Sequence, residues 1–225
     1  MADVPSVSAD DARRVRVAAR ALARAGLVHA YGHCSLRISP DHFIVSPSKP
    51  LGLVGDEDSP VVVRTQGALP PGALPEVLAH QRIYWQRPEV GAVVRFQSPN
   101  ITTLSTLGLT PKARHGFGAY FAPSAPLHAD PRLVRESGSA QALVEKLGDA
   151  RAIVMRGNGA ITVGATIEEA VVMAWYLEDS ARVELAVLAT GLEGLVLTPA
   201  EAKERAVTSG RIVERMWDWL TAGEL

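Results

Sequence analysis

Apolar residues recur at helical spacing through Val15, Ala18, Ala19, Leu22 and Ala23 until Gly26 stops the run. Ser8, with Asp11 three residues on, supplies a cap, so the pattern predicts a first helix. Two short strand-like runs, 34–38 and 42–46, are separated by Ser-Pro-Asp and predict a hairpin. Residues 47–72 are rich in proline, glycine and acids and read as loop or edge structure around a strand at 61–63. A helix over about 75–86 is expected to end before Arg87-Pro88, because the residue preceding a proline is pushed out of the helical region. A strand at 91–96 and a helix beginning near Pro99 follow. A Ser-Gly-Ser connection at 137–139 then leads to a helix through 147, strands at 151–155 and 160–163, and a long helix over 166–190. The last helix, about 199–221, opens at Thr198-Pro199 with Glu201 at its third position and carries Trp217 and Trp219. Interleaved strands and helices give an α/β layered domain, with the strand order left open by periodicity.

Composition narrows the class. A chain of 225 residues, 47% hydrophobic and 21% charged, can bury the core of one domain spanning 1–225. A formal charge of −1 and a pI near 6.6 give neither a nucleic-acid footprint nor a polybasic membrane patch. The amino terminus lacks a charged-then-apolar signal pattern, and no run approaches the ~18 apolar residues of a spanning helix. The single cysteine, Cys34, cannot form an intramolecular disulfide, which fits a reducing cytoplasm.

Several blocks carry the candidate chemistry. One runs Gly26-Leu-Val-His-Ala-Tyr31-Gly32-His33-Cys34-Ser35-Leu-Arg37, and a second is Phe43-Ile-Val-Ser-Pro47-Ser48 with Lys49 after it. A third spans Glu76 to Val90 and ends in Arg87-Pro88-Glu-Val90. Then come Arg95-Phe-Gln97-Ser98-Pro99, Met155-Arg-Gly157-Asn158-Gly159 and Gly164-Ala-Thr166-Ile-Glu168-Glu169-Ala170. In this order the blocks resemble the class II aldolase/adducin family over roughly residues 10–200. The resemblance implies a three-layer class II aldolase-like fold, a central β-sheet with helices on both sides, assembled as a homotetramer with pockets between subunits. The wording Ala30-Tyr31-Gly32-His33-x-Ser35, together with His115, further resembles the branch that decarboxylates small aromatic or pyridine carboxylates.

In that family the equivalents of Arg95, Gln97 and Asn158 are three histidines holding a divalent metal, and a glutamate at the position of Glu76 moves a proton. A guanidinium offers no lone pair, and amide oxygens are poor ligands for a metal that favours imidazole. No metal and no cofactor is therefore expected. Arg95 can instead put a fixed positive charge where the ion would sit, with Gln97 and Asn158 as hydrogen-bond donors. The plain alternative is that Arg95 emerges at a strand end and pairs with a surface acid. The resemblance also places His33, Ser35, Arg37, Ser48 and Lys49 around the substrate. Leu74-Pro75 and His33 stand where sugar-phosphate members carry two serines and an asparagine, which favours a carboxylated or uncharged small molecule over a phosphate.

Other candidates are weaker. Cys34 between His33 and Ser35 suggests a thiol nucleophile, but neighbours on a strand point to opposite faces. His115 is a candidate proton donor or substrate contact, and His80, one turn after Glu76, a group that orients that carboxylate. Gly116, Gly118 and Gly138 form no nucleotide fingerprint. Two classes remain: a metal-independent lyase of the aldolase, decarboxylase or dehydratase kind using Glu76, Arg95 and His115, or a non-catalytic binding or assembly protein. A third reading keeps a metal on a rearranged set drawn from His33, His80 and His115. A dry ion pair between Arg95 and Glu76 would mark the scaffold.

Overall fold

The structure, a computed structural model, describes residues 5–224. Of the amino terminus inspected above for a signal pattern, residues 1–4 lie outside them. The first helix, α1 (Ala9–Arg24), is capped by Ser8, whose side chain accepts from the Asp11 N–H, as expected. The hairpin forms as β1 (His33–Ser39) and β2 (His42–Val45), with β3 (Val61–Arg64) beside it. Next come α2 (Val77–Gln86), β4 (Ala92–Phe96) and α3 (Pro99–Thr106). The second half holds β5 (Leu127–His128), α4 (Ser137–Leu147), β6 (Ala152–Met155), β7 (Ala160–Gly164) and α5 (Ile167–Ala189).

Two boundaries differ from the sequence reading. Residues 137–139 begin α4 instead of connecting to it, because Glu136 and Ser139 cap one another reciprocally. The expected last helix divides into α6 (Pro199–Arg205) and α7 (Ile212–Leu220). Gly210 and Arg211 both take positive φ there, which no continuous helix accommodates. The two-residue strand β5 is too short to leave a period in the sequence.

The strands form one mixed sheet in the order β3-β2-β1-β4-β7-β6-β5, antiparallel throughout except for the β5–β6 pair. Alternate residues on each strand feed alternate faces. One face carries Cys34, Leu36, Val94 and Phe96 and packs against α1, α3, α5 and α7. The other carries Val93, Ile153 and Ile161 and packs against α2 and α4. This makes the three layers, with helices on both sides. The alternation decides the site: His33 and Ser35 on β1 and Arg95 on β4 belong to the second face, under α2, while Cys34 turns into the first core. Burial pushes the Cys34 thiol up to about 12, so it is no nucleophile.

Two loops fix the ends of the sheet. At the close of β4, Glu178 of α5 accepts from the Asn100 and Ile101 N–H groups (2.9 Å each) and from the Ser98 hydroxyl, satisfying the first turn of α3. This anchors the strand-to-helix corner that carries Gln97. Across it, Gly159 at φ +76° sits so close to Phe96 that an added Cβ would lie 2.0 Å from the Phe96 carbonyl oxygen. Only glycine lets the turn bearing Asn158 approach the end of β4.

Candidate active site

A cleft of ≈ 700 Å³ opens where the ends of β1 and β4 meet α2. Arg95, Gln97 and His33 line it from the sheet, Glu76 from the start of α2, and Ser48 and Lys49 from the loop after β2. Tyr31, Leu74, Pro75 and Leu133 supply apolar wall, so the positions where phosphate-binding serines were missing carry surface suited to a hydrocarbon body.

Arg95 is 6% exposed. Its Nη2 donates to Asn158 Oδ1 at 2.6 Å, and Gln97 Nε2 donates to the same oxygen at 2.7 Å. An oxygen receiving a guanidinium hydrogen can only be the carbonyl side of the amide, which fixes the orientation of Asn158. Asn158, expected as a donor to substrate, is thus the acceptor that braces Arg95 and Gln97 from behind. Among the described residues Arg95 makes no ion pair, and none of its nitrogens is sealed off without a partner. Burial pulls the guanidinium down to about 10 and the nearby carboxylate of Glu76 pulls it back up, which leaves a cation at neutral pH.

Glu76 does not pair with Arg95. Its Oε1 accepts from Arg135 Nε at 2.8 Å and lies 2.7 Å from Arg135 Nη2. Arg135 lines the cleft and was not a sequence candidate, since a lone arginine in a polar loop carries no pattern. The dry Arg95–Glu76 pair that would have marked a scaffold is absent.

Behind the cleft wall runs a buried polar chain. His33 Nδ1 lies 2.7 Å from His80 Nε2, His80 Nδ1 lies 2.7 Å from Ser35 Oγ, and Ser35 Oγ lies 2.8 Å from the Tyr84 hydroxyl. His80 therefore does not orient Glu76, as one helical turn suggested; it turns inward to His33. Burial first, and the charge of Arg95 second, hold His80 down at about 3. Burial, His80 and Arg95 together hold His33 well below the usual histidine range.

The remaining sequence candidates scatter. Ser35 is fully buried within that chain. Arg37 spends its guanidinium on the carbonyls of Val90, Tyr84, Arg87 and Pro40, tying β1 to the end of α2 outside the cleft. Lys49 reaches the cleft but is paired with Asp58 at 2.7 Å. His115 bonds to Asp179 of α5 at 2.9 Å and does not line the cleft of its own chain.

A divalent metal does not fit these residues. At the three positions that would hold it stand a cation and two amides, and the Asn158 oxygen is already taken by two donors. The rearranged set fails as well: His33 and His80 are bonded to each other, His115 is elsewhere, and no three His, Cys, Asp or Glu side chains converge among the described residues.

A 3,4-dihydroxyphthalate decarboxylase of Terrabacter sp. (strain DBF63) is 31% identical over 192 residues, covering 77% of this chain and 80% of that protein. A methylthioribulose-1-phosphate dehydratase of Pseudomonas fluorescens (strain Pf0-1) is 31% identical over 153 residues, covering 60% of this chain and 73% of that protein. The L-fuculose 1-phosphate aldolase from Glaciozyma antarctica PI12 superposes with a TM-score of 0.81 at 24% identity, over 98% of this chain and 92% of that one. The family described as Class II Aldolase and Adducin N-terminal domain matches residues 13–185, and the chain belongs to it.

Proposed function

We propose that the protein is a lyase of the decarboxylase kind that acts on a small, carboxylated, non-phosphorylated substrate without a divalent metal. The observation that carries this is Arg95: a buried guanidinium with no carboxylate partner among the described residues, braced from behind and facing a cleft with apolar walls. A desolvated cation with no carboxylate in direct contact is costly, and a ligand carboxylate relieves that cost while gaining a charge-assisted hydrogen bond. When the carbon–carboxylate bond breaks, carbon dioxide leaves neutral and the bond's electron pair stays on the substrate carbon beside Arg95, whose charge stabilises it, and Glu76, having taken a proton from water, delivers that proton to the carbon. The decarboxylase and dehydratase relatives support lyase chemistry. The apolar wall favours a decarboxylase substrate with a hydrocarbon body over the phosphate that the dehydratase name carries. Loss of the Arg95–Glu76 pair as an option weighs against a pure scaffold.

We place the protein in the cytoplasm as a homotetramer, and the catalytic assignment of His115 then requires that another copy supply it. The test is release of carbon dioxide from small aromatic mono- and dicarboxylates in the presence of chelator, together with carboxylate binding to Arg95→Met. Affinity should fall about 10- to 100-fold in that variant, the range of a charged hydrogen bond. Activity lost to chelator and restored by added metal would overturn the reading, as would unchanged carboxylate affinity in Arg95→Met.

A further inference from the structure

The buried chain from Tyr84 to His33 can run in two directions, and hydrogen-bond satisfaction favours one. Suppose Tyr84 donates to Ser35, Ser35 to His80 Nδ1, and His80 Nε2–H to His33 Nδ1. All three bonds are then 2.7–2.8 Å, and every interior hydrogen is used. The opposite arrangement starts with His33 Nδ1–H donating to His80 and His80 Nδ1–H to Ser35. The Ser35 hydrogen must then go to Tyr84, stranding a buried phenol hydrogen, or to the Val93 carbonyl at 3.4 Å. A stranded donor or a long bond in a dry interior is disfavoured against three short bonds.

In the favoured arrangement one hydrogen remains, on His33 Nε2. Among the described residues that nitrogen bonds nothing, and it is not among the buried atoms lacking a partner, so it opens onto the cleft that His33 lines. His33 and Arg95 are register partners on β1 and β4. Such partners stand about 4.5–5.5 Å apart and send their side chains out of the same face. A single small ligand can therefore meet both.

Resting on the carboxylate reading above, we infer that His33 is a second catalytic contact, its Nε2–H donating to an oxygen on the atom next to the carboxylated one. His80, Ser35 and Tyr84 are the positioning residues that aim it. The cleft thereby selects hydroxy- or keto-carboxylates over plain carboxylates. A neutral imidazole suits the role, since its Nε2–H donates to a developing oxyanion without placing a second cation beside Arg95. Burial, His80 and Arg95 keep His33 in that neutral form.

Two measurements decide it. Imidazole ¹⁵N resonances at neutral pH should show His33 protonated at Nε2 and bare at Nδ1, and Ser35→Ala, which removes the donor to His80, should mix the two tautomers. By calorimetry the protein should bind salicylate about tenfold more tightly than benzoate, the scale of one hydrogen bond. His33→Asn keeps an amide where Nδ1 met His80 but loses the cleft-facing nitrogen, and it should erase the preference. His33→Gln, with an amide near the Nε2 position, should restore part of it. A bare Nε2 in the wild type, or a salicylate preference that survives in His33→Asn, overturns the inference while leaving carboxylate binding at Arg95 intact. Failure of both carboxylates to bind would instead overturn the proposed function and the selectivity built on it.

Discussion

Glu76 and Arg135 meet at the cleft mouth, where Arg135 is 54% exposed, and an ion pair so placed contributes only about 0.2–1 kcal/mol. Glu76→Gln should therefore melt within a few degrees of wild type. If the carboxylate carries the proton, turnover should fall roughly 10²–10⁴-fold, and a stable variant with unchanged turnover would remove Glu76 from the mechanism. The two buried imidazoles make a separate prediction about acid. His80 falls from its ordinary 6.5 to about 3 on folding, and His33 is lowered too. The unfolded chain thus binds protons that the folded one refuses. Their contribution to stability is complete above about pH 6.5 and is lost as pH falls below it, toward about 3 for His80, at up to about 1.4 kcal/mol per pH unit for each imidazole. Thermal melts between pH 7 and 4.5 should show this slope, and His80→Gln, though less stable at pH 7, should show a shallower one. At this scale Arg95, Gln97 and Asn158 stood out in the sequence because they replace expected residues. Arg135 and Tyr84 did not, because nothing local distinguishes an arginine that reaches a cleft from one that reaches water.

Along α2, Glu76, His80 and Tyr84 recur every fourth residue, so one helix face spans from the cleft mouth to the interior of the sheet's second layer. That spacing was legible; its partner on β1 was not, since His33 and His80 are 47 positions apart and meet only through sheet geometry. Likewise the hairpin and α5 followed from periodicity and caps, whereas the α6–α7 break depended on Gly210 and Arg211, whose positive φ a helical pattern conceals. The turn joining β6 to β7 yields a sharper test. Gly159→Ala would drive a methyl group into the Phe96 carbonyl and impose a left-handed conformation on alanine. Strain alone of this kind costs about 1–3 kcal/mol. Melting temperature should drop accordingly, and carboxylate affinity should drop with it, because Asn158 is displaced along with the turn. A variant that is destabilised yet binds normally would show that Asn158 does not brace Arg95.

For the molecule as a whole, Trp219 is 62% exposed on α7, and Leu192 and Leu195 are exposed on the connection between α5 and α6, while Trp217 is packed against the core. Apolar surface of this kind favours association, and light scattering at micromolar concentration should give a species about four times the 24.0 kDa chain. A monomer would remove any role for His115 at the cleft. Most helices and strands could be read from the chain in order, β5 and the α6–α7 break excepted, and the family resemblance had already grouped His33, Ser48, Lys49, Glu76, Arg95 and Gln97, but the five separate segments of the cleft, Arg135 among them, meet only through the fold.

The shared acceptor at Asn158 constrains how this site could change over generations. Asn158→His alone would deprive both Arg95 and Gln97 of the oxygen they donate to, and Arg95→His alone would give one imidazole with nothing to join. Substitution of either Arg95 or Asn158 alone thus breaks the brace, so changes at the two positions are strongly non-additive.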